Sequence, residues 1–571
     1  MRPPPPLAYL RRELWRGSPK RLRREGGRRE IVVHLPAAIA AAGAALLVVQ
    51  WAAARPLWLD EEFLAINLRD RSISNYLEPL WLGQTAPFGW LVLERLVVGA
   101  FGTGERALRL LPMLFGIATL AAAARIGRRW MSPLGATLLV VLCAASHWLT
   151  FYFLELKPYS ADVFFALLLP ALAAWSVEVE REARMEREGS AERTFWIVAA
   201  IAQWFANGAL FVTPLCAVVL AAILLQRDGW RSAIRFSIVG LVWLVSFALN
   251  YVFVLRYAQS SAFFQRVWAF AFPPPSADVA GTVQWFGTTL AAFGVKPGST
   301  RFGILLWLAA FAGFAAGSMT RKTAAIFFAT VPVSAILLAA LHLVPFYERV
   351  TLWIVPALYV GVALLADVGW AALAGRSAAR LAAPIALAMA IVIAGDIVIR
   401  GVRAAIVNAQ GQQENRGHDD RAAVRWLASQ KQPGDVWMTT HFGVLAIWWY
   451  AGLTGHRIVE VAHQPEGPQC GHDSWAGIIA DAPRVLLYLG FRYDDVPAGF
   501  DDMLVDRLSR LGEVTAYRSF ANEGHALIVD RRAGRGQPTT LAQLELRPAG
   551  SHPPAGGCLA LRIAEIPTFV P

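Results

Sequence analysis

Charge is scarce in this chain. Only 16% of its 571 residues are Asp, Glu, Lys or Arg, while 56% are hydrophobic. Soluble domains carry about 25% charged residues. With a mean hydropathy of +0.44 and apolar residues gathered in long blocks, a soluble globular enzyme and a disordered chain are excluded. Cysteine is scarce as well. There are four, without CxxC spacing, which excludes a disulfide-built secreted module and argues against a zinc site. In the C-terminal part a GxGxxG turn after a strand and a P-loop are both missing, so a nucleotide site there has no support. What is left is a polytopic membrane protein, long enough for a helical bundle and one further domain.

The charge that is present is lopsided, with a net +12. Residues 1–30 hold ten Lys/Arg against Glu13, Glu25 and Glu30, and supply most of the excess. The cluster directly precedes an apolar run. It therefore reads as a cytoplasmic tail on anionic lipid, not as a nucleic-acid footprint. The run is too long for the core of a signal peptide and is taken as uncleaved. Cys143 and Cys216 fall in apolar runs, as small packing residues do. Cys470 and Cys558 fall in the C-terminal part, where a disulfide can form if that part is outside the cytoplasm.

A membrane span needs about 20 mostly apolar residues. Candidates are 31–54, 106–124, 132–150, 160–177, 194–206, 208–225, 233–254, 302–318, 323–342, 350–372 and 381–399, with a break expected at Asn207-Gly208. The stretch 87–101 is short and carries Glu94 and Arg95 at its centre, which are unfavourable in hydrocarbon. If it does not cross, the basic loops around Arg125/Arg128/Arg129, 178–193, Arg227/Arg231/Arg235, Arg321/Lys322 and Arg376/Arg380 all share the side of the N-terminal tail. The expectation is an all-α membrane bundle of about eleven spans over 31–400, with 87–101 interfacial or re-entrant. It includes a long first outer loop, 55–105. From 401 onward apolar runs shorten and strands alternate with helices. That predicts an extracytoplasmic α/β domain over 401–571 with a loosely packed, Pro- and Gly-rich end.

Polar residues collect on the outer face. Asp60, Glu61 and Glu62 follow the first span. They suit a general base with a neighbouring carboxylate, or a helix start in which Asp60 caps and the glutamates favour the dipole. In Glu155-Leu156-Lys157-Pro158-Tyr159, Lys157 can hold a phosphate and Glu155 can orient it or a sugar; an interfacial ion pair fits as well. Arg349 precedes the tenth span and can grip a lipid phosphate or ordinary headgroups. Arg109 can bind an anion or pair with Glu105 four residues earlier. Gln84, in Gln84-Thr85-Ala86-Pro87, shapes a sugar pocket or merely leads into a helix at Pro87. Trp58, Trp81 and Trp90 stack on a sugar or form an aromatic belt. Pro273-Pro274-Pro275 and Gln284-Trp285-Phe286 lie in the 255–300 loop, a lid or a structural loop. His441, His463, His472 and His525 lack metal-ligand spacing, so no metal and no other cofactor is expected.

The order of these features, all on one side, resembles the GT-C membrane glycosyltransferases of the protein O-mannosyltransferase and lipid A aminoarabinose transferase type. The residues that carry the resemblance are LWLDEEF (57–63), GQTAPFGWLVLERLVVGAFGTGERALRLLP (83–112), YFLELKPYSADV (152–163) and PFYERVTLWIVPAL (345–358). It covers about residues 30–400. The resemblance implies a polyprenyl phosphate monosaccharide as donor, used at the outer face of the inner membrane on a glycan, lipid or protein acceptor. It implies Asp60 as general base, Glu61 as its assistant, and Lys157 and Arg349 on the donor phosphate, with Glu155, Tyr159, Gln84 and Arg109 as further binding residues. Three departures stand out: a third acid, Glu62; one Pro in the first loop where relatives often have two; and no Lys near the end of that loop, where the lipid A enzymes carry their phosphate lysine, so that Lys157 is assigned on charge and side. The competing class is a non-catalytic polyprenyl-lipid carrier or envelope scaffold. It would place polar residues through its mid-spans. Here those stretches are almost all Ala, Leu, Val, Ile and aromatics.

Overall fold

A computed structural model describes residues 28–182, 190–374, 382–409, 419–452, 457–464, 478–479, 481–491, 497–520, 524–532, 534–546 and 558–565. The chain forms two compact units. The first comprises Met1–Ala53, Tyr76–Gly102 and Arg106–Ile406; the second comprises Ala54–Asn75, Thr103–Glu105 and Val407–Pro571. The beginning of the stretch 55–105 thus belongs with the C-terminal domain, a division the linear reading at 400 does not make.

The first unit is helical. Among its described residues nine helices are long and apolar enough to span a bilayer: His34–Ala52, Glu105–Trp130, Tyr159–Glu178, Asn207–Asp228, Trp230–Leu255, Gly303–Thr320, Lys322–Ala340, Glu348–Leu373 and Ala383–Asn408. Tyr159–Glu178 and Glu348–Leu373 are enclosed by their neighbours. His34–Ala52 and Trp230–Leu255 leave most of their apolar surface outward, as lipid-facing helices do.

Two expected spans are shorter than expected. The stretch 132–150 is the helix Pro133–Ala145 followed by a separate helix, His147–Tyr152. Ser146 breaks it: its hydroxyl accepts the Leu149 N–H and meets Ser299 Oγ at 2.8 Å. The stretch 194–206 is the 13-residue helix Ser190–Ala202. The next helix begins at Asn207, where Asp162 Oδ1 accepts the Gly208 N–H at 2.9 Å. The interval 255–300 is also not an open loop. It holds the helices Arg256–Ser260, Ala262–Val267 and Val279–Val295, the last capped by Asp278 and carrying Gln284, Trp285 and Phe286. The helix expected at Pro87 runs Phe88–Phe101. At about 1.5 Å per residue it is shorter than the hydrocarbon core.

Glycine sets one crossing. A Cβ on Gly313 would lie 1.8 Å from Gly361 O, so Gly303–Thr320 and Val355–Ala374 touch backbone to backbone. That is how small residues bring membrane helices together.

The second unit is built on a six-stranded sheet: β1 Val436–Thr440, β2 Arg457–Gln464, β3 Arg484–Leu489, β4 Glu513–Phe520, β5 Gly524–Asp530 and β6 Cys558–Glu565. Their order is β4-β5-β3-β1-β2-β6. β1 pairs in parallel with β2 and β3, and β4, β5 and β6 run antiparallel at the two sides. One face (Met438, Val459, Val461, Leu487, Leu527) packs on the helix Phe500–Ser509 through Phe500, Leu504 and Leu508. The helices Asp420–Gln430 and Gly443–Tyr450 also pack on the sheet, and Leu59–Asp70 lies on Gly443–Tyr450. The end of the chain is not uniformly loose, since β6 completes an edge of the sheet against the whole of β2. Cys558 at its start is disulfide-bonded. Cys470 lies outside the described residues, and Cys143 and Cys216 are free and buried.

Candidate active site

The acids after the first apolar helix fall in the second unit. The helix Leu59–Asp70 has Trp58 as its N-cap, so Asp60 is not the cap. That work goes to Glu61, whose Oε2 accepts the Trp58 N–H at 3.0 Å, one half of a capping box. Glu61 and Glu62 are fully buried and Asp60 is partly exposed. The three carboxylates thus separate by environment: one reaches solvent, one is spent on the backbone, and one is enclosed.

The enclosed acid has an unexpected neighbour. Asp420, in the first turn of Asp420–Gln430, is also buried and accepts from the Tyr488 hydroxyl. Burial, then repulsion from Asp420 and Glu61, holds the Glu62 carboxyl well above the usual carboxylate range. Burial, then repulsion from Asp419, pushes Asp420 up to about 7. Asp419, not Asp420, caps that helix, accepting the Ala422 N–H at 2.9 Å. Tyr450 Oη accepts the Leu57 N–H at 2.7 Å and fixes the chain as it enters the Asp60 helix. At the other end Trp448 Nε1 donates to Asp70 at 2.9 Å, and Arg69 reaches Trp449 O at 3.0 Å. Glu105 takes Arg421 at 3.0 Å.

The sheet explains where the helix starts. The chain leaves β1 to one side for β2 and returns to the other side for β3. The carboxyl ends of β1 and β3 therefore flank a topological switch point, where open sheets present ligand crevices. Phe442 and Phe491 follow those ends with ring centroids 6.0 Å apart, and Trp58 packs edge-on to Phe491 at 5.1 Å. Asp60 stands two residues after Trp58. Tyr450, Tyr488 and Phe491 carry no signal in the sequence beyond being aromatic, and from the sequence either Asp419 or Asp420 suits the cap of the helix that follows.

The remaining expected site residues belong to the first unit. Lys157 is buried, and its Nζ donates to Gln84 Oε1 at 2.6 Å, which joins two expected residues 73 positions apart. Its backbone is held by a tight turn, Lys157 N to Glu155 O at 2.7 Å. Glu155 is fully buried. Tyr159 opens the helix Tyr159–Glu182 and packs edge-on to Tyr152 at 5.4 Å. Arg109 is buried at the N-cap of Leu110–Trp130. Arg349 is partly buried in the 3-10 turn Glu348–Ile354, where Lys296 pairs with Glu348 at 2.9 Å. Trp90 is buried and so is not a belt residue.

The tail histidines do not converge. His441 Nδ1 meets Glu460 Oε1 at 2.9 Å beside Arg562, His525 Nδ1 meets Tyr517 Oη at 3.0 Å, and His463 packs edge-on to Phe500. His472 lies outside the described residues. Among the described residues no three His, Cys, Asp or Glu side chains gather as a metal site would require.

The sequence matches no family model and no curated protein. Solved structures do resemble it. ArnT from Cupriavidus metallidurans in the apo state is similar over 87% of this chain and 99% of its own, with a TM-score of 0.50 at 13% identity. The same protein bound to undecaprenyl phosphate is similar over 88% of this chain and 99% of its own, again with a TM-score of 0.50 at 13% identity. The Archaeoglobus fulgidus oligosaccharyltransferase in the apo form covers 79% of this chain and 69% of its own, with a TM-score of 0.48 at 12% identity. With nine apolar helices of spanning length among the described residues and an ArnT-like arrangement along nearly its whole length, the chain is a multi-pass membrane protein with the fold of the GT-C membrane glycosyltransferases.

Proposed function

We propose that this protein is a membrane glycosyltransferase. It moves a sugar from a polyprenyl phosphate monosaccharide to an acceptor hydroxyl at the outer face of the inner membrane, with inversion. The observation that carries the reading is the fold shared over 88% of the chain with an ArnT solved with undecaprenyl phosphate bound. Disulfide-bonded Cys558 supports an extracytoplasmic C-terminal domain, because such bonds persist in oxidising compartments. The basic N-terminal tail supports a cytoplasmic N-terminus.

The chemistry divides between two groups. Asp60 is the partly exposed carboxylate of the three and stands in the first turn of its helix, where a negative charge is favoured. As the acceptor oxygen bonds to the anomeric carbon, Asp60 takes the acceptor proton. The bond from that carbon to the phosphate oxygen breaks on the opposite face, which inverts the centre. The leaving group is polyprenyl phosphate, whose charge Lys157 stabilises from a buried site where an ammonium acts strongly. Arg349 adds a second cation for the phosphate, and Arg109, Glu155 and Tyr159 bind the donor. Glu61 fixes the turn that carries Asp60 and so acts by positioning. The step invokes no metal. The acceptor is a glycan, lipid or protein hydroxyl.

The test is transfer of labelled sugar from a panel of polyprenyl phosphate monosaccharides to membrane extract, with wild type and Asp60→Asn in parallel. The expected result is transfer by wild type and a loss of about 10²–10⁴-fold in the variant, with donor binding intact. Equal transfer by both, or none from any donor, overturns the reading and favours a carrier or scaffold.

A further inference from the structure

The third acid after the first apolar helix has no part in the chemistry above, and its surroundings are unusual for a carboxyl group. Glu62 is fully buried, and among the described residues neither of its side-chain oxygens has a hydrogen-bond partner. Buried polar side chains are nearly always hydrogen-bonded, and a buried, unpaired carboxylate is more unfavourable still. Glu62 stands two residues beyond Asp60 on the same helix, Leu59–Asp70. Two residues are about 200° apart around a helix. Asp60 therefore reaches the surface while Glu62 turns inward.

The interior that Glu62 enters is acidic. Asp420, at the start of Asp420–Gln430, is buried there and accepts from the Tyr488 hydroxyl of β3. Asp419 beside it accepts the Ala422 N–H at 2.9 Å. Glu61 is committed to the Trp58 N–H at 3.0 Å. Gly443–Tyr450 contributes Tyr450, whose oxygen accepts the Leu57 N–H at 2.7 Å, and the segment 103–105 contributes Glu105. The cations on these elements have other company. Arg421 pairs with Glu105 at 3.0 Å and donates to Ala54 O at 2.9 Å; Arg425 lies 5.8 Å from the Tyr450 ring; Arg69 pairs with Asp70 at 2.6 Å. Arg55 stands in the segment leading into the helix.

The two buried acids differ in what would meet a negative charge. The Tyr488 O–H supports an ionised Asp420, whereas no donor meets the Glu62 oxygens. Burial, then Asp420, then Glu61 all favour the protonated form of Glu62. As pH rises, Asp420 ionises at about 7 while Glu62 keeps its proton. Loss of that proton puts a bare charge into a dry interior, and the relief open to it is hydration. The first turn of the helix gains water by moving outward, and that turn carries Asp60 and its Trp58 cap.

We propose that Glu62 is a positioning residue for Asp60: protonated, it lets the turn that bears the base stay docked, and ionised, it releases that turn. The inference rests on Asp60 as base in the reading above. It adds an upper pH limit to transfer, set by a residue that touches neither donor nor acceptor.

The experiment follows transfer by the full chain in lipid nanodiscs from pH 6 to 10, for wild type, Glu62→Gln, Glu62→Leu and Asp420→Asn. Amide exchange through residues 59–64, corrected for its intrinsic pH dependence, is measured on the same samples. Wild-type kcat is expected to fall by up to about tenfold per pH unit above the ionisation of Glu62, with the donor KM within about twofold. Exchange protection of the turn falls over the same range. Gln and Leu are neutral and of similar size; both are expected to rescue, with kcat near wild type at pH 6 and the alkaline fall gone from kcat and protection alike. Rescue by Leu shows that neutrality is the property used, since Leu makes no hydrogen bond. Asp420→Asn removes a charge that holds the proton on Glu62, so its alkaline fall moves to lower pH. A wild-type profile that stays flat, a fall that persists in Gln and Leu, a loss in those variants that is equal at every pH, or a fall that moves upward in Asp420→Asn overturns the proposal. Wild type without transfer at any pH sinks the transferase reading; amide exchange then decides the release of the turn, and equal pH dependence in wild type and Glu62→Gln overturns that too.

Discussion

Combining Glu62→Gln with Asp420→Asn tests the buried acids of the Asp60 helix and its neighbour. Burial, and then repulsion from Asp419, push the Asp420 carboxyl from its ordinary 3.8 up to about 7 on folding. Glu62 is shifted in the same direction by burial, Asp420 and Glu61. A carboxyl raised on folding contributes stability that is fully present below its unfolded pKa and is lost as pH rises through its folded pKa. The window for Asp420 is therefore pH 3.8 to about 7. At about 1.4 kcal/mol per pH unit, raising the pH from 5 to 8 removes on the order of 3 kcal/mol from Asp420 alone. For a domain of this size that is a fall in Tm of roughly 5–12 °C. The double variant keeps the shapes of both side chains, and the new amide oxygen at position 420 still accepts from the Tyr488 hydroxyl. It loses this pH dependence and is more stable than wild type at pH 8. Thermal unfolding of the purified full chain in detergent at intervals from pH 5 to 8 reads both. A wild-type Tm that stays flat or rises with pH refutes the reasoning, as does a double variant that tracks wild type.

Three further outcomes follow from contacts in the structure. Lys157→Met removes a buried ammonium and is expected to raise the donor Kd about 10–100-fold, read by titration with lipid-linked sugar. Tyr450→Phe leaves the Leu57 N–H without its 2.7 Å acceptor, a loss of about 1–3 kcal/mol. Its signature is faster amide exchange through the first turn of Leu59–Asp70 and lower kcat with donor binding unchanged. Gly313→Leu drives side-chain atoms into the Gly361 carbonyl and is expected to abolish folded yield. Gly395→Leu, at a position with nothing within 4 Å, leaves the chromatographic profile as it is.

Hydropathy makes most of the bundle legible because lipid-facing and lipid-excluded helices are both apolar over their full length. It misreads 132–150 because an apolar stretch continues through Ser146, and only the partner Ser299, 153 positions away, reveals the break. The interval 255–300 looks like a loop because Pro273-Pro274-Pro275 interrupts it, yet apolar helices stand on either side of the prolines. In the tail the strands are visible from their β-branched runs. The sixth is hidden, since Cys558–Glu565 gains its order from pairing along β2.

For the site, residue types were legible and partnerships were not. Asp60, Gln84 and Lys157 stand out by charge and position. Nothing local says that Lys157 binds Gln84 or that Glu61 serves the Trp58 amide while Asp60 stays accessible. The Glu62–Asp420 proximity is further from view, because each acid looks like a helix-start residue within its own segment.

The membership of Leu59–Asp70 in the C-terminal unit has a consequence for biosynthesis. Its partner Trp448 lies 378 residues downstream of Asp70. A ribosome adding about 5–20 residues per second reaches that partner roughly 20–75 s after the acidic helix has been made. Throughout that interval Glu62 has no enclosure, Leu57 has no Tyr450, and the turn bearing Asp60 is unsupported. The proposed base is therefore translated long before the contacts that set it in place, so a chain truncated ahead of Trp448 is expected to lack transfer activity even with Asp60 present.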